Sequence, residues 1–340
     1  MKKYSFLVSG LALMMLATGT VKAEEISNSN VVNGTSLNVT KSLDVADKVL
    51  VPNTTFTFTI SGVSSEKETT KDGLTVYEGL TTGLETSKTV SYTNTDTTDS
   101  KEKTVAFDFS GVNYPKPGVY RYLVTETSGD TPGVTYSTKK YVVDVYALDE
   151  AGTIKPKYIV SHQENNSAKE PIKFDNALKT TSLTVKKSVT GNAGDKNKEF
   201  GFTITLKADD HYKNGSKIFA KVNDKTGTST DKELSMGANQ FTLKDGESLS
   251  IDKLPIGITY KVEENKLEDY KVSAELTENN QAKTYNFTEQ ISDETPDTIV
   301  VTNNKNINTP TGVAMAIAPY AVMTLVGIGG VLYFVKNKKA

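Results

Sequence analysis

Apolar and polar residues trade places at every second position in many short runs of this chain. Thr55-Phe56-Thr57-Phe58-Thr59-Ile60 and Tyr141-Val142-Val143-Asp144-Val145-Tyr146 are examples. That period, carried by Thr, Val, Tyr and Ile, belongs to half-buried antiparallel strands. Between the chain ends no amphipathic helix of three turns stands out. Polar, turn-rich stretches at 94–103 and 223–232 read as loops. The pattern predicts an all-β protein of sandwich domains with Greek-key connections.

The two ends break the pattern. Lys2 and Lys3 precede an apolar run from Phe6 to Leu16, and Val21-Lys22-Ala23 has the small-x-small form of a signal-peptidase site. Residues 1–23 are therefore expected to be a signal peptide, with 24–33 a mobile polar segment. At the other end Val313–Val335 is uncharged and long enough to cross a bilayer, and Lys336 to Ala340 form a basic tail. Just before it stands Asn308-Thr309-Pro310-Thr311-Gly312. This arrangement resembles the sortase sorting signal, usually Leu-Pro-x-Thr-Gly, with proline one place later, as in the variant read by pilus-class sortases. The resemblance implies acyl transfer at Thr311: a sortase cysteine takes the Thr311 carbonyl, releases Gly312 onward and passes the acyl group to an amine.

An internal duplication organises the middle of the chain. Leu37-Asn38-Val39-Thr40-Lys41-Ser42-Leu43 recurs as Leu183-Thr184-Val185-Lys186-Lys187-Ser188-Val189. Phe56-x-Phe58-x-Ile60 recurs as Phe200-x-Phe202-x-Ile204, and Tyr122-Leu123-Val124-Thr125-Glu126 as Tyr260-Lys261-Val262-Glu263-Glu264. Phe174-Asp175-Asn176 is echoed by Val301-Thr302-Asn303. Two domains are expected, 34–179 and 180–306, followed by the sorting region 307–340. The short link near Lys179 leaves little hinge freedom.

Composition narrows the chemistry. The net charge of −2 gives no attraction for nucleic acid. Cysteine is absent, so disulfides cannot staple this secreted chain. His162 and His211 lie far apart in polar surroundings, which argues against a metal site or a histidine-dependent triad. No Gly-rich phosphate loop is present, and no cofactor is implied.

Strand parity then raises a problem. Side chains at i, i+2 and i+4 share a face. Leu37, Val39, Lys41 and Leu43 make an apolar face interrupted by Lys41; Leu183, Val185, Lys187 and Val189 repeat it with Lys187. The face of Tyr120, Tyr122 and Val124 ends in Glu126, and that of Tyr260 and Val262 in Glu264. The faces of Ile172, Phe174 and Leu178, and of Ile299 and Val301, carry Asn176 and Asn303. Each domain is thus expected to bury one Lys, one Glu and one Asn, at several kcal/mol for a lone charge. A buried salt bridge would answer this. So would a covalent bond: burial favours the neutral amine and the protonated acid, the amine attacks the amide, and the acid polarises the carbonyl and carries the proton to departing ammonia.

These motifs resemble Cna B-type domains with intramolecular isopeptide bonds, and the whole chain resembles the T-antigen family of streptococcal backbone pilins, down to Thr309-Pro310-Thr311-Gly312-Val313-Ala314-Met315. The resemblance implies two tandem immunoglobulin-like β-sandwich domains. It implies a Lys41–Asn176 bond promoted by Glu126 and a Lys187–Asn303 bond promoted by Glu264. It further implies a wall-anchored pilus shaft at the cell surface, whose partners are a pilus-class sortase, identical subunits, minor pilins and peptidoglycan. Lys169, in Ala168-Lys169-Glu170-Pro171, matches the family's linking lysine, the amine that receives Thr311 of the next subunit. Tyr114-Pro115-Lys116 resembles the linking motif of other pilins, but its upstream context is missing, and Lys116 reads as a loop residue. The competing readings are a monomeric adhesin or minor pilin of the same fold, and a secreted enzyme, which nothing in the chain supports.

Overall fold

The computed structural model describes residues 30–64, 68–97 and 101–308. Residues 1–23, expected to be a signal peptide, and Thr309 to Gly312, the apolar span and the basic tail lie outside the described residues. What is described is all-β: two sandwiches in tandem, each of two facing sheets.

In the first sandwich one sheet runs, in spatial order, through Val31–Asn33, Thr153–Gln163, Lys140–Glu150, Gly118–Thr127, Thr54–Gly62 and Ser87–Tyr92. The facing sheet runs through Glu102–Asp108, Ser36–Asp44, Ile172–Leu178 and Val134–Thr135. In the second, the larger sheet places Thr180–Thr190 between Ser248–Pro255 and Asp297–Asn304, and the smaller holds Gly237–Leu243, Phe200–Leu206, Thr259–Glu264 and Gln290–Ile291. Ser36–Asp44, which opens the first duplicated unit, pairs with the closing strand Ile172–Leu178, as Thr180–Thr190 does with Asp297–Asn304, and both pairs are parallel. Parallel neighbours need a long crossover, and here the crossover is the rest of the domain.

The alternation read from sequence fills the two cores. Leu37, Val39, Phe56, Phe58, Tyr122 and Phe174 are buried in the first, with Phe58 and Phe174 stacked at 5.2 Å. Leu183, Val185, Phe202, Ile204, Tyr260 and Val301 are buried in the second, where Phe202 stacks on Phe241 at 5.2 Å. Burying each such side chain stabilises by about 1.5–3 kcal/mol.

Two segments differ from the sequence reading. Residues 31–33, expected to be mobile, form a short strand on the edge strand Thr153–Gln163, with Val31 opposite Val160. Val31 packs beside Val160, Leu74, Val76 and Tyr158 on a satellite cluster outside the main core. Two valines are too short a run to announce a strand. Half of the stretch 223–232 is paired rather than looped: Lys217–Asn223 and Ser229–Ser235 form a hairpin around a turn at 224–228.

The link between the sandwiches is Lys179 alone, since one strand ends at Leu178 and the next begins at Thr180. Contacts on both sides brace it. Leu50 of the first unit is buried with the second core. The Asn94 amide donates to Val51 O (2.7 Å) and His211 O (2.9 Å), and its oxygen accepts from the Lys213 N–H at 2.9 Å. Asn53 N–H donates to His211 O at 2.8 Å. Asn94→Ala removes three of these bonds, at about 1 kcal/mol each. Small-angle scattering should then show a wider spread of angles between the sandwiches, with each domain's own melting unchanged; an unaltered scattering profile would count against the bracing role.

Candidate functional site

The parallel pair of opening and closing strands places the lysine and the asparagine of each repeat side by side. Lys41 lies opposite Phe174, and Asn176 comes two residues later on the same face. Lys187 lies opposite Val301, and Asn303 comes two residues later. Glu126 and Glu264 arrive from the facing sheet, on Gly118–Thr127 and Thr259–Glu264. Each trio therefore spans the sandwich interior.

All six side chains are buried as parity predicts. Lys41 and Asn303 are 0% exposed, Lys187 2% and Asn176 3%. The side chains of Glu126 and Glu264 are 0% and 1% exposed. In the first site Lys41 Nζ lies 3.1 Å from Glu126 Oε2, and Asn176 Nδ2 donates to Glu126 Oε1 at 2.5 Å. One carboxyl thus holds the amine with one oxygen and the amide nitrogen with the other. Asn176 Oδ1 accepts the Ser137 backbone N–H at 2.9 Å. Lys41 also donates to Phe174 O at 3.4 Å, and its Nζ sits 4.2 Å above the Phe56 ring.

The second site shares this plan with one difference. Lys187 Nζ and Asn303 Nδ2 both approach Glu264 Oε1, at 3.1 and 3.2 Å, and Nζ lies 4.5 Å above the Phe200 ring. Lys187 donates to Val301 O at 3.2 Å. Asn303 Oδ1 and Glu264 Oε2 are buried with no protein hydrogen-bond partner.

Burial pushes the Lys41 amine down to about 8, against the opposing pull of Glu126. Lys187 shifts in the same direction for the same cause, with Glu264 opposing. At about 8 the Lys41 amine is still mainly protonated near physiological pH but holds a neutral minority, and only the neutral form is a nucleophile. In the first site the amide oxygen faces the Ser137 backbone N–H, and the amide nitrogen faces Glu126. Sequence reading missed Ser137, whose N–H is aimed by tertiary structure and leaves no trace in side-chain pattern. The rings under the lysines were legible in principle, because Phe56 and Phe200 belong to the duplicated motif.

The other candidate residues sit apart. Lys169 is half-buried on the flank of the first sandwich, where its carbonyl accepts from Asn30 Nδ2 at 2.7 Å. Lys116 is exposed, its ammonium 4.5 Å above the Tyr77 ring and its carbonyl accepting the Tyr120 hydroxyl at 2.9 Å. Thr311 and Gly312 lie outside the described residues.

One buried charged cluster escaped the sequence reading. Asp144 is 0% exposed and takes two bonds from Arg121, at 2.7 and 2.9 Å, and one from Lys71 at 2.7 Å. Burial drives its carboxyl upward, but Arg121 and Lys71 prevail and hold it below its usual range. It lies on the outer face of the sheet, covered by the hairpin of Thr70–Lys71 and Leu74–Glu78.

Residues 37–179 match a family described as a Spy0128-like isopeptide containing domain, and residues 181–305 match one described as a domain of unknown function. A pilin of Streptococcus pyogenes serotype M1 is 43% identical over 352 residues, covering 100% of each chain. The structure of the major pilin T3.2 of S. pyogenes superposes with a TM-score of 0.76 at 42% identity, over 81% of this chain and 99% of that one. A second S. pyogenes major pilin superposes with a TM-score of 0.75 at 37% identity, over 81% and 100%.

Proposed function

The chain belongs to the streptococcal major-pilin family and is a structural backbone subunit of a surface pilus, and from that premise we propose that it seals each sandwich with a Lys–Asn isopeptide bond and is joined to its neighbours by a sortase. The bonds are Lys41–Asn176, promoted by Glu126, and Lys187–Asn303, promoted by Glu264.

The first step is attack of the neutral Lys41 Nζ on Asn176 Cγ. The carbonyl charge that develops is met by the Ser137 N–H. Glu126 takes a proton from Nζ through Oε2 and returns one to Nδ2 through Oε1. The Cγ–Nδ2 bond then breaks, and ammonia leaves as the Nζ–Cγ amide is completed. No net proton is consumed, and Glu126 ends as it began. The reaction runs once, on the protein itself. The observation that supports it best is the division of the Glu126 oxygens between nucleophile and leaving group.

Polymerisation uses a separate chemistry. A pilus-class sortase cleaves between Thr311 and Gly312 and transfers the Thr311 acyl group to Lys169 of the next subunit. Minor pilins share the fibre, and its base is attached to peptidoglycan.

Chains refolded from inclusion bodies, which have never folded and so carry no bond, test the sealing reaction by intact mass. Two losses of ammonia are expected. The loss from the first sandwich should accelerate as pH rises toward about 8, where the Lys41 amine becomes neutral, and level off above it. A rate that falls above that pH would instead assign the promoting role to a protonated glutamate. Asn303 Oδ1 lacks the N–H that Asn176 enjoys, so the second loss should be slower by about 10-fold or more. Refolded protein that keeps its full mass would defeat the proposal.

A further inference from the structure

Where the donor tail leaves the second sandwich, it is fastened rather than loose. Beyond Asn304 the chain follows the loop 190–193: Lys305 N–H donates to Thr190 O, and Ala193 N–H to Lys305 O, both at 3.1 Å. Asn192 then grips the next two residues. Its backbone N–H donates to Asn306 Oδ1 at 3.0 Å, its side-chain oxygen accepts the Ile307 N–H at 2.9 Å, and its Nδ2 donates to Ile307 O at 2.9 Å. Ile307 is 55% exposed, so burial does not hold it; the Asn192 amide does. Gly191, at φ +89°, lets the strands approach this closely, since a Cβ there would stand 2.2 Å from Lys305 O.

The backbone at Lys169 is held too. Asn30 Nδ2 donates to Lys169 O at 2.7 Å. Glu170 N–H donates to Ser161 O at 2.9 Å, and Ser161 Oγ donates back to Glu170 O at 2.6 Å, with Ser161 4% exposed. Only the lysine side chain remains free to move.

We propose that Asn192 and Asn30 are positioning residues for the joint between subunits: they pin the backbone on its two sides and keep the connector to four residues and one side chain. The inference rests on the reading that Thr311 joins Lys169 of a second copy. Between the pinned Ile307 and the pinned Lys169 backbone stand Asn308 to Thr311 and one lysine side chain. Four residues span at most about 14 Å. The end of one subunit carrying Asn192 must therefore abut the flank of the next, near Lys169, for the bond to exist. Removing the Asn192 side chain returns Ile307 to the connector and lengthens it by about a quarter, while Asn306 keeps its bond to the Asn192 backbone N–H.

The test is fibre stiffness. Fibres assembled from Asn192→Ala, Asn30→Ala and the double variant are imaged by electron microscopy, and the persistence length is compared with that of the parent. Each single variant should shorten it at least about twofold, and the double variant more. Asn192→Asp, which keeps the acceptor for Ile307 N–H, should lose less. Melting and the two ammonia losses show that each variant folds and seals. If Asn30→Ala does not accumulate, Asn30→Asp replaces it, since it keeps the shape but cannot donate. Tryptic mapping separates the two ideas. A Thr311–Lys169 branched peptide with stiffness unchanged in the double variant overturns the pinning and leaves the linkage standing. A branched peptide at another lysine overturns the linkage and, with it, the role of Asn30.

Discussion

Lys41→Met is expected to lower the melting temperature of the first sandwich by about 15 °C while the second melts as before. The cause is a closed loop. A bond from Lys41 to Asn176 would encircle nearly the whole domain. Closing a loop of that length restricts the unfolded chain by about 5 kcal/mol, by analogy with a disulfide. Methionine keeps the length and most of the volume of the lysine stem, so little of the effect would be a cavity. Part would come from leaving Glu126 buried without the amine. The double variant Lys41→Met with Glu126→Leu removes that part and decides between the two explanations of the trio. If Lys41 and Glu126 formed only a buried salt bridge, replacing both with apolar groups would be neutral or stabilising by about 1–4 kcal/mol. If a covalent bond is lost, the full entropic penalty remains. Differential scanning calorimetry of both variants, with intact mass alongside, gives the answer, and a double variant as stable as the parent would sink the isopeptide assignment.

Lys169→Ala should abolish the ladder of linked subunits in cell-wall extracts. The acceptor amine is a co-substrate of every joining step, so its removal stops growth of the chain rather than slowing it. The variant should still fold and lose two ammonia molecules, because Lys169 touches neither trio. Lys116→Ala should leave the ladder intact, its side chain being engaged with the Tyr77 ring. A ladder that survives Lys169→Ala but vanishes with Lys116→Ala would reverse the assignment.

Much of this was legible in the sequence because strands report burial with a period of two. Lys41 and Lys187 declared themselves by sitting among Leu and Val on faces that had to be inward, and the duplication made the coincidence hard to dismiss. Parity failed where a second layer covers the other face of a sheet. Asp144 alternates with Val143 and Val145, so parity turns it toward water, yet a hairpin from residues far away in the chain buries it against Arg121 and Lys71. It also failed for backbone groups. The Ser137 N–H and the carbonyls gripped by Asn30 and Asn192 have no side-chain signature. Asn94 looked like an ordinary turn residue, and only the docking of the second sandwich brings His211 and Lys213 to its amide.

The side-by-side, same-direction alignment of each opening and closing strand sets how a subunit answers a pull. The two termini of a sandwich emerge at opposite poles, and a covalent clasp between these strands would let tension cross from one to the other without entering the intervening sheets. A subunit so clasped would have no slack to release. A pilus built from it would behave as an inextensible tether, carrying a sudden tug along its length undamped, so any cushioning would have to reside elsewhere.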